Sequence, residues 1–91
     1  MKVSDILAEG QRFETVANTY RPELNGRYRT VTGVGSGVLD YKLDPGAVCG
    51  GEEGHSSGLR FRDNGDGTYT TPLGSIPRLK GHTLTIRPVT P

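Results

Sequence analysis

The chain has no tryptophan, one cysteine, one methionine and only two phenylalanines in 91 residues. Each scarcity excludes something. A single cysteine, Cys49, rules out an internal disulfide framework, and a secreted domain this small would usually carry one, so the expected location is the cytoplasm. The opening MKVSDILAEG has one lysine and no apolar run, so it does not read as a signal peptide. No stretch approaches the ~18 apolar residues of a membrane span. Net charge is only +1, which argues against both a polybasic nucleic-acid binder and an acidic tail protein. Without tryptophan, four tyrosines and two phenylalanines must supply the aromatic part of the core.

Glycine and charge are what the chain does have. Its 14 glycines and 6 prolines equal the 20 residues of Leu, Ile, Val and Phe, which predicts one folded but loop-rich domain over 1–91 with a modest core. Eight of the eleven basic residues are arginine, a residue suited to bidentate and stacking contacts. Residues 68–91 carry Arg78, Lys80 and Arg87 with no acid, so the C-terminal quarter is locally cationic.

Residues 4–9 can form one or two helical turns, with Ser4 as N-cap, Gly10 as the stop, and Ile6 and Leu7 packed inward. From Gly10 the hydrophobic period becomes two. In 10–18, Phe13, Thr15 and Ala17 share one face, and Arg12, Glu14 and Val16 the other. Pro22 and Asn25-Gly26 mark a loop. In 27–34, Tyr28, Thr30, Thr32 and Val34 alternate with Arg27, Arg29 and Val31. Gly35-Ser36-Gly37 then turns the chain into 38–43, where Leu39, Tyr41 and Leu43 share a face, so 27–43 reads as a hairpin. Residues 44–58, with five glycines and no periodicity, read as a long loop. A second hairpin follows: 59–63 with Leu59 and Phe61 inward and Arg60 and Arg62 outward, a turn at 64–67, and a return over 68–71. Pro72 and Pro77 bracket another loop. The last strand, 82–89, has Leu84 and Ile86 on one face, and Pro88 and Pro91 predict that it lies at an edge or runs off it. The sum is an all-β chain of five to six short strands after a helical turn. A small, partly open, SH3-like antiparallel barrel fits that length better than an Ig-like sandwich.

Gly10, Phe13, Val16, Asn18, Pro22, Glu23, Gly26, Arg29 and Val31 form the pattern G-x-x-F-x-x-V-x-N-x-x-x-P-E-x-x-G-x-x-R-x-V. Over residues 10–32 the chain thereby resembles short, mostly uncharacterised proteins of actinobacteria and their phages. That resemblance implies an SH3-like barrel and a mobile-element background, and nothing about chemistry. Small phage domains of this size often bind and block a host protein. FRDNGDGTYTTP, 61–72, is similar to a hairpin of bacterial and filamin-type Ig-like domains, which supports the second hairpin.

Chemical motifs are few. Asp63-Asn64-Gly65-Asp66-Gly67 has the look of a calcium loop, but Gly65 and Gly74 stand where ligands belong, so it reads as a turn. Gly33-Val34-Gly35-Ser36-Gly37 lacks the spacing and the following helix of a phosphate loop. Cys49, Glu52, Glu53 and His55, with His82 elsewhere, fall short of a four-ligand zinc site, and no orienting group marks a Cys–His nucleophile. No catalytic, metal or cofactor residue is therefore expected. Arg27 and Arg29 share one strand face, and Arg60 and Arg62 another. Were those strands neighbours, the four would make one outer patch with Tyr20, Tyr28 or Tyr69 between them. Glu14, Glu23 and Asp40 stand ready to pair with them. The expected function is a non-catalytic module that contacts another protein through Arg27, Tyr28, Arg29, Arg60, Arg62, Arg78, Lys80 and Arg87. Weak nucleic-acid binding by the same residues is the alternative.

Overall fold

The computed structural model describes residues 1–35, 37–43, 53–56, 58–74 and 77–89. Seven strands lie in one antiparallel sheet: β1 Arg12–Asn18, β2 Tyr28–Val34, β3 Leu39–Leu43, β4 Glu53–Ser56, β5 Arg62–Asp63, β6 Tyr69–Pro72 and β7 Thr83–Pro88. Their order is β4-β3-β2-β1-β7-β6-β5. Two meanders, β1–β4 and β5–β7, are thus joined where the first strand pairs with the last. The chain is all-β, with 3-10 turns at Val3–Asp5 and Pro22–Leu24 and no longer helix among the described residues. The two separate sheets of an Ig-like sandwich are not what these strands form.

The inner face collects Phe13 and Ile86, both fully buried, with Val31, Leu39 and Leu84. Val3 and Leu7 close one end, and Leu59 and Phe61 pack into the same cluster. A phenylalanine and an isoleucine with no exposed surface contribute most to such a small core, at roughly 1.5–3 kcal/mol each.

Several sequence expectations are corrected here. The helical turn is a single 3-10 turn capped at Lys2, whose backbone N–H donates to the Asp5 carboxylate (2.9 Å); Leu7 is buried and Ile6 packs half-buried on the core as expected, with Val3 buried in addition. Part of the expected long loop is a strand: β4 pairs with β3, Leu39 opposite Ser56 and Lys42 opposite Glu53. The final strand is not at an edge. β7 lies between β1 and β6, and Pro88 is tolerated because it stands at the very end of the ladder, opposite Phe13. The expected strand 59–63 shrinks to two residues because Phe61 bonds Met1 instead: its N–H donates to the Met1 carbonyl (3.0 Å), and the Met1 amino group donates back (2.6 Å).

Two bulges break the alternation. Thr15 faces Ile86 but Ala17 faces Thr85, so Val16 is the extra residue, and the inward series runs Phe13, Thr15, Asn18 rather than through Ala17. Val31 faces Tyr41 but Gly33 faces Asp40, so Val34 joins Arg29 and Val31 on the inner side, opposite Leu39. The expected hairpin stands, closed by the Gly35 N–H on the Val38 carbonyl (3.0 Å).

Candidate functional site: an arginine-lined cleft

The cleft's first wall is built from the residues that follow the first bulge. Asn18, turned inward by the first bulge, is 7% exposed. Its Oδ1 accepts the backbone N–H groups of Tyr20 (3.0 Å) and Arg21 (2.8 Å), an Asx-type closure that fixes the start of the β1–β2 loop. Its own backbone N–H donates to Asn25 Oδ1 (2.7 Å). The two asparagines bracket the 3-10 turn Pro22–Leu24, whose proline sets the first dihedral and whose Leu24 is buried. Gly26, at φ +82°, lets the chain re-enter β2, and its N–H donates to the Thr15 carbonyl (2.7 Å). This loop therefore presents Tyr20, Arg21 and Leu24 to one side of the sheet.

The floor comes from the sheet. Arg29 in β2 is only 4% exposed, and its guanidinium carbon lies 4.6 Å from the centre of the Tyr41 ring in β3. Tyr41 in turn meets Phe13 edge to face at 6.3 Å. A buried cation is costly unless compensated, and here the electron-rich ring face and a further interaction within the protein supply that compensation. Leu84 of β7 completes the floor. The far wall is the β6–β7 loop, with Leu73, Arg78 and Leu79. That loop is held by the Leu73 N–H on the His82 carbonyl and the His82 N–H on the Leu79 carbonyl, both 3.0 Å. His82 also reaches across to the first wall: its Nδ1 is 3.1 Å from Thr19 Oγ1, and its ring meets Tyr20 edge to face at 5.2 Å.

The enclosed volume is about 230 Å³. Among the described residues its lining holds three guanidinium groups, two tyrosines and four leucines, and no carboxylate. Arg21 stacks on Tyr20 at 5.4 Å and pairs loosely with Glu23 outside the cleft at 3.9 Å. Arg78 is exposed, and no hydrogen bond or ion pair ties it to another described residue.

The expected site residues are scattered by this topology. Arg29 and Arg78 come together in the cleft. The expected outer patch of Arg27, Arg29, Arg60 and Arg62 does not form, because β1, β7 and β6 stand between β2 and β5 and because Arg29 points inward. Arg27 is exposed ahead of β2, Lys80 is exposed in the β6–β7 loop, and Arg60 and Arg62 are exposed at the opposite end of the sheet. Tyr28 faces outward under Arg12 (4.9 Å), and Arg87 pairs with Glu14 at 3.1 Å. Cys49 and Glu52 lie outside the described residues, and of Glu53 and His55 only the backbone in β4 is described. Among the described residues no three His, Cys, Asp or Glu side chains converge. Sequence reasoning missed Arg21, Asn18, Tyr41 and the leucines as cleft residues. Pro22 with Asn25-Gly26 signalled an ordered loop, but the bulges that aim it carry no sequence signal.

The acidic turn 63–67 spends its carboxylates internally. Asp63 Oδ1 accepts the Gly65 N–H (2.8 Å), and Asp66 Oδ1 accepts both the hydroxyl and the backbone N–H of Thr68 (2.5 and 3.0 Å). These bonds, the hydroxyl first, hold the Asp66 carboxyl below its ordinary value of 3.8.

No helix among the described residues is long and apolar enough to cross a membrane. No protein-family model matches the chain, no curated protein matches its sequence and no solved structure matches its fold.

Proposed function

We propose that the protein is a non-catalytic binding module, acting in the cytoplasm, that docks a partner protein through the arginine-lined cleft. The observation that carries this reading is the cleft's combination of three arginines and four leucines around about 230 Å³. Sites for whole small molecules usually span ~300–1,000 Å³. A space below that range takes one side chain of a larger partner. Arginine and tyrosine at the rim are the residue types that concentrate binding energy at protein interfaces. In this reading the curled sheet is a partly open SH3-like barrel, supported by its short antiparallel strands around one shared core. The likeness of residues 10–32 to small proteins of actinobacterial phages favours an accessory or inhibitor role on a host factor.

Weak nucleic-acid binding by the outer sheet face is the competing reading. It has Arg12 over Tyr28 in its favour, but Arg87 is committed to Glu14. Two parallel measurements separate them: capture of partners from a host lysate, and fluorescence anisotropy of labelled single-stranded DNA, duplex DNA and RNA at low and physiological salt. The proposal expects a captured protein and no nucleic-acid binding at physiological salt. Steeply salt-dependent nucleic-acid binding with no captured protein would overturn it.

A further inference from the structure

We infer that the cleft selects an acidic peptide segment, taking one carboxylate side chain that is flanked by aliphatic residues. This rests on the protein-docking reading above and names the partner's chemistry. The cleft's lining is of two chemical kinds. Leu24, Leu73 and Leu84 form an apolar part, while Arg21 and Arg78 stand at the rim. Arg29, already engaged within the protein, lies beneath them. Among the described lining residues there is no carboxylate, so the low-dielectric walls focus their positive potential into the opening. An anion is therefore the complementary group, and an apolar neighbour is needed to cover the leucines.

A carboxylate fits better than a phosphate. One guanidinium fork satisfies both oxygens of a carboxylate. A phosphate dianion brings a further oxygen, which the leucines of the lining would leave without a donor. Arg21 can exchange its loose 3.9 Å contact with Glu23 for a bidentate one without breaking a buried pair, since both side chains are about half exposed. Arg78 has no such tie to give up.

The test is a proton–nitrogen NMR titration of the 91-residue protein with two isosteric peptides, acetyl-Gly-Leu-Glu-Leu-Gly-amide and its Gln counterpart. The Glu peptide should give saturable shifts at the amides of Tyr20, Arg21, Leu73 and Leu79, and should bind about tenfold more tightly than the Gln peptide, as expected for one charge-assisted hydrogen-bonded pair. Arg78→Ala should erase most of that difference while leaving the spectrum elsewhere unchanged, and added salt should weaken binding. Equal binding of the two peptides, shifts confined to the outer sheet face, or no saturable shift would each overturn the inference. So would tighter occupation of the same amides by oligothymidylate. A captured protein whose binding is indifferent to Arg78→Ala would overturn this inference while leaving the docking role standing.

Discussion

Thr15 and Arg29 are polar residues placed where the sheet needs apolar ones, and each has one buried side-chain atom without a hydrogen bond, Thr15 Oγ1 and Arg29 Nε. Thr15 is fully buried, and its Oγ1 has no hydrogen-bond partner. Valine has nearly the same shape without the hydroxyl. Thr15→Val should therefore stabilise the fold by about 1 kcal/mol, the lower end of the cost of an unsatisfied buried polar atom. In a domain this size that raises the melting temperature by roughly 4–8 °C. A lowered melting temperature would mean that the hydroxyl is doing something the structure does not account for. Arg29 is compensated by Tyr41 and contributes through its packed stem as well as its charge. Arg29→Ala should cost about 2 kcal/mol in a urea titration, while Arg62→Ala, at an exposed position, should stay within ~0.5 kcal/mol. The alternation Arg27-Tyr28-Arg29 says only that residues 27 and 29 share a side. It does not say which side is inward. Val31 in the same series was the available clue, because a Val fully buried two residues on puts Arg29 inward with it.

At the scale of elements, the local chemistry of turns was legible and the registers were not. Asn25-Gly26, Gly35 to Gly37 and the 64–67 turn all sit where their residue types demand, at Gly26, Gly65 and Gly67 with positive φ. The bulges at Val16 and Thr32 insert one residue each into ordinary alternating runs, and they alone decide that Asn18 and Val34 face inward. The pairing of β1 with β7 is a contact between chain ends, decided by the shared core rather than by any short-range signal. Proline in the last strand therefore misdirected the expectation of an edge. Two elements give measurable consequences. Asn18→Ala removes the acceptor of two loop N–H groups. It should destabilise the fold by about 1–2 kcal/mol and speed hydrogen exchange at the Tyr20 and Arg21 amides above that at Phe13. Unchanged exchange at those amides would show that the loop is held by something else. In the 64–67 turn, the folded Asp66 value lies below its ordinary 3.8. Its contribution is therefore complete above pH 3.8 and is lost as pH falls through the lower, folded value. Melting temperatures of the native protein and Asp66→Asn should converge as pH is lowered through that range, and a constant gap would contradict the assignment.

On the scale of the whole molecule, the sheet sorts its arginines into two populations. One group lies in a concave, leucine-backed space with no acid among its described lining residues. The other is spread over the outer face and the far end, where Glu14 already takes Arg87. A net charge of +1 conceals this separation. Of the residues expected to bind, only Arg29 and Arg78 are brought together. They were chosen for charge, whereas their companions Asn18, Arg21 and Tyr41 depend on bulges and on which strands become neighbours. Asn18, Pro22, Gly26 and Arg29, four positions of the pattern over residues 10–32, are the ones that shape the cleft's first wall and floor. The most direct test of the cleft as the recognition surface is a matched pair of charge reversals, Arg78→Glu in the cleft and Arg62→Glu at the far end of the sheet, compared for capture of the same partner protein. Both positions are exposed, so both variants should fold and melt like the native protein. The cleft reading predicts that Arg78→Glu abolishes capture and Arg62→Glu leaves it intact; capture lost with Arg62→Glu and retained with Arg78→Glu would contradict it.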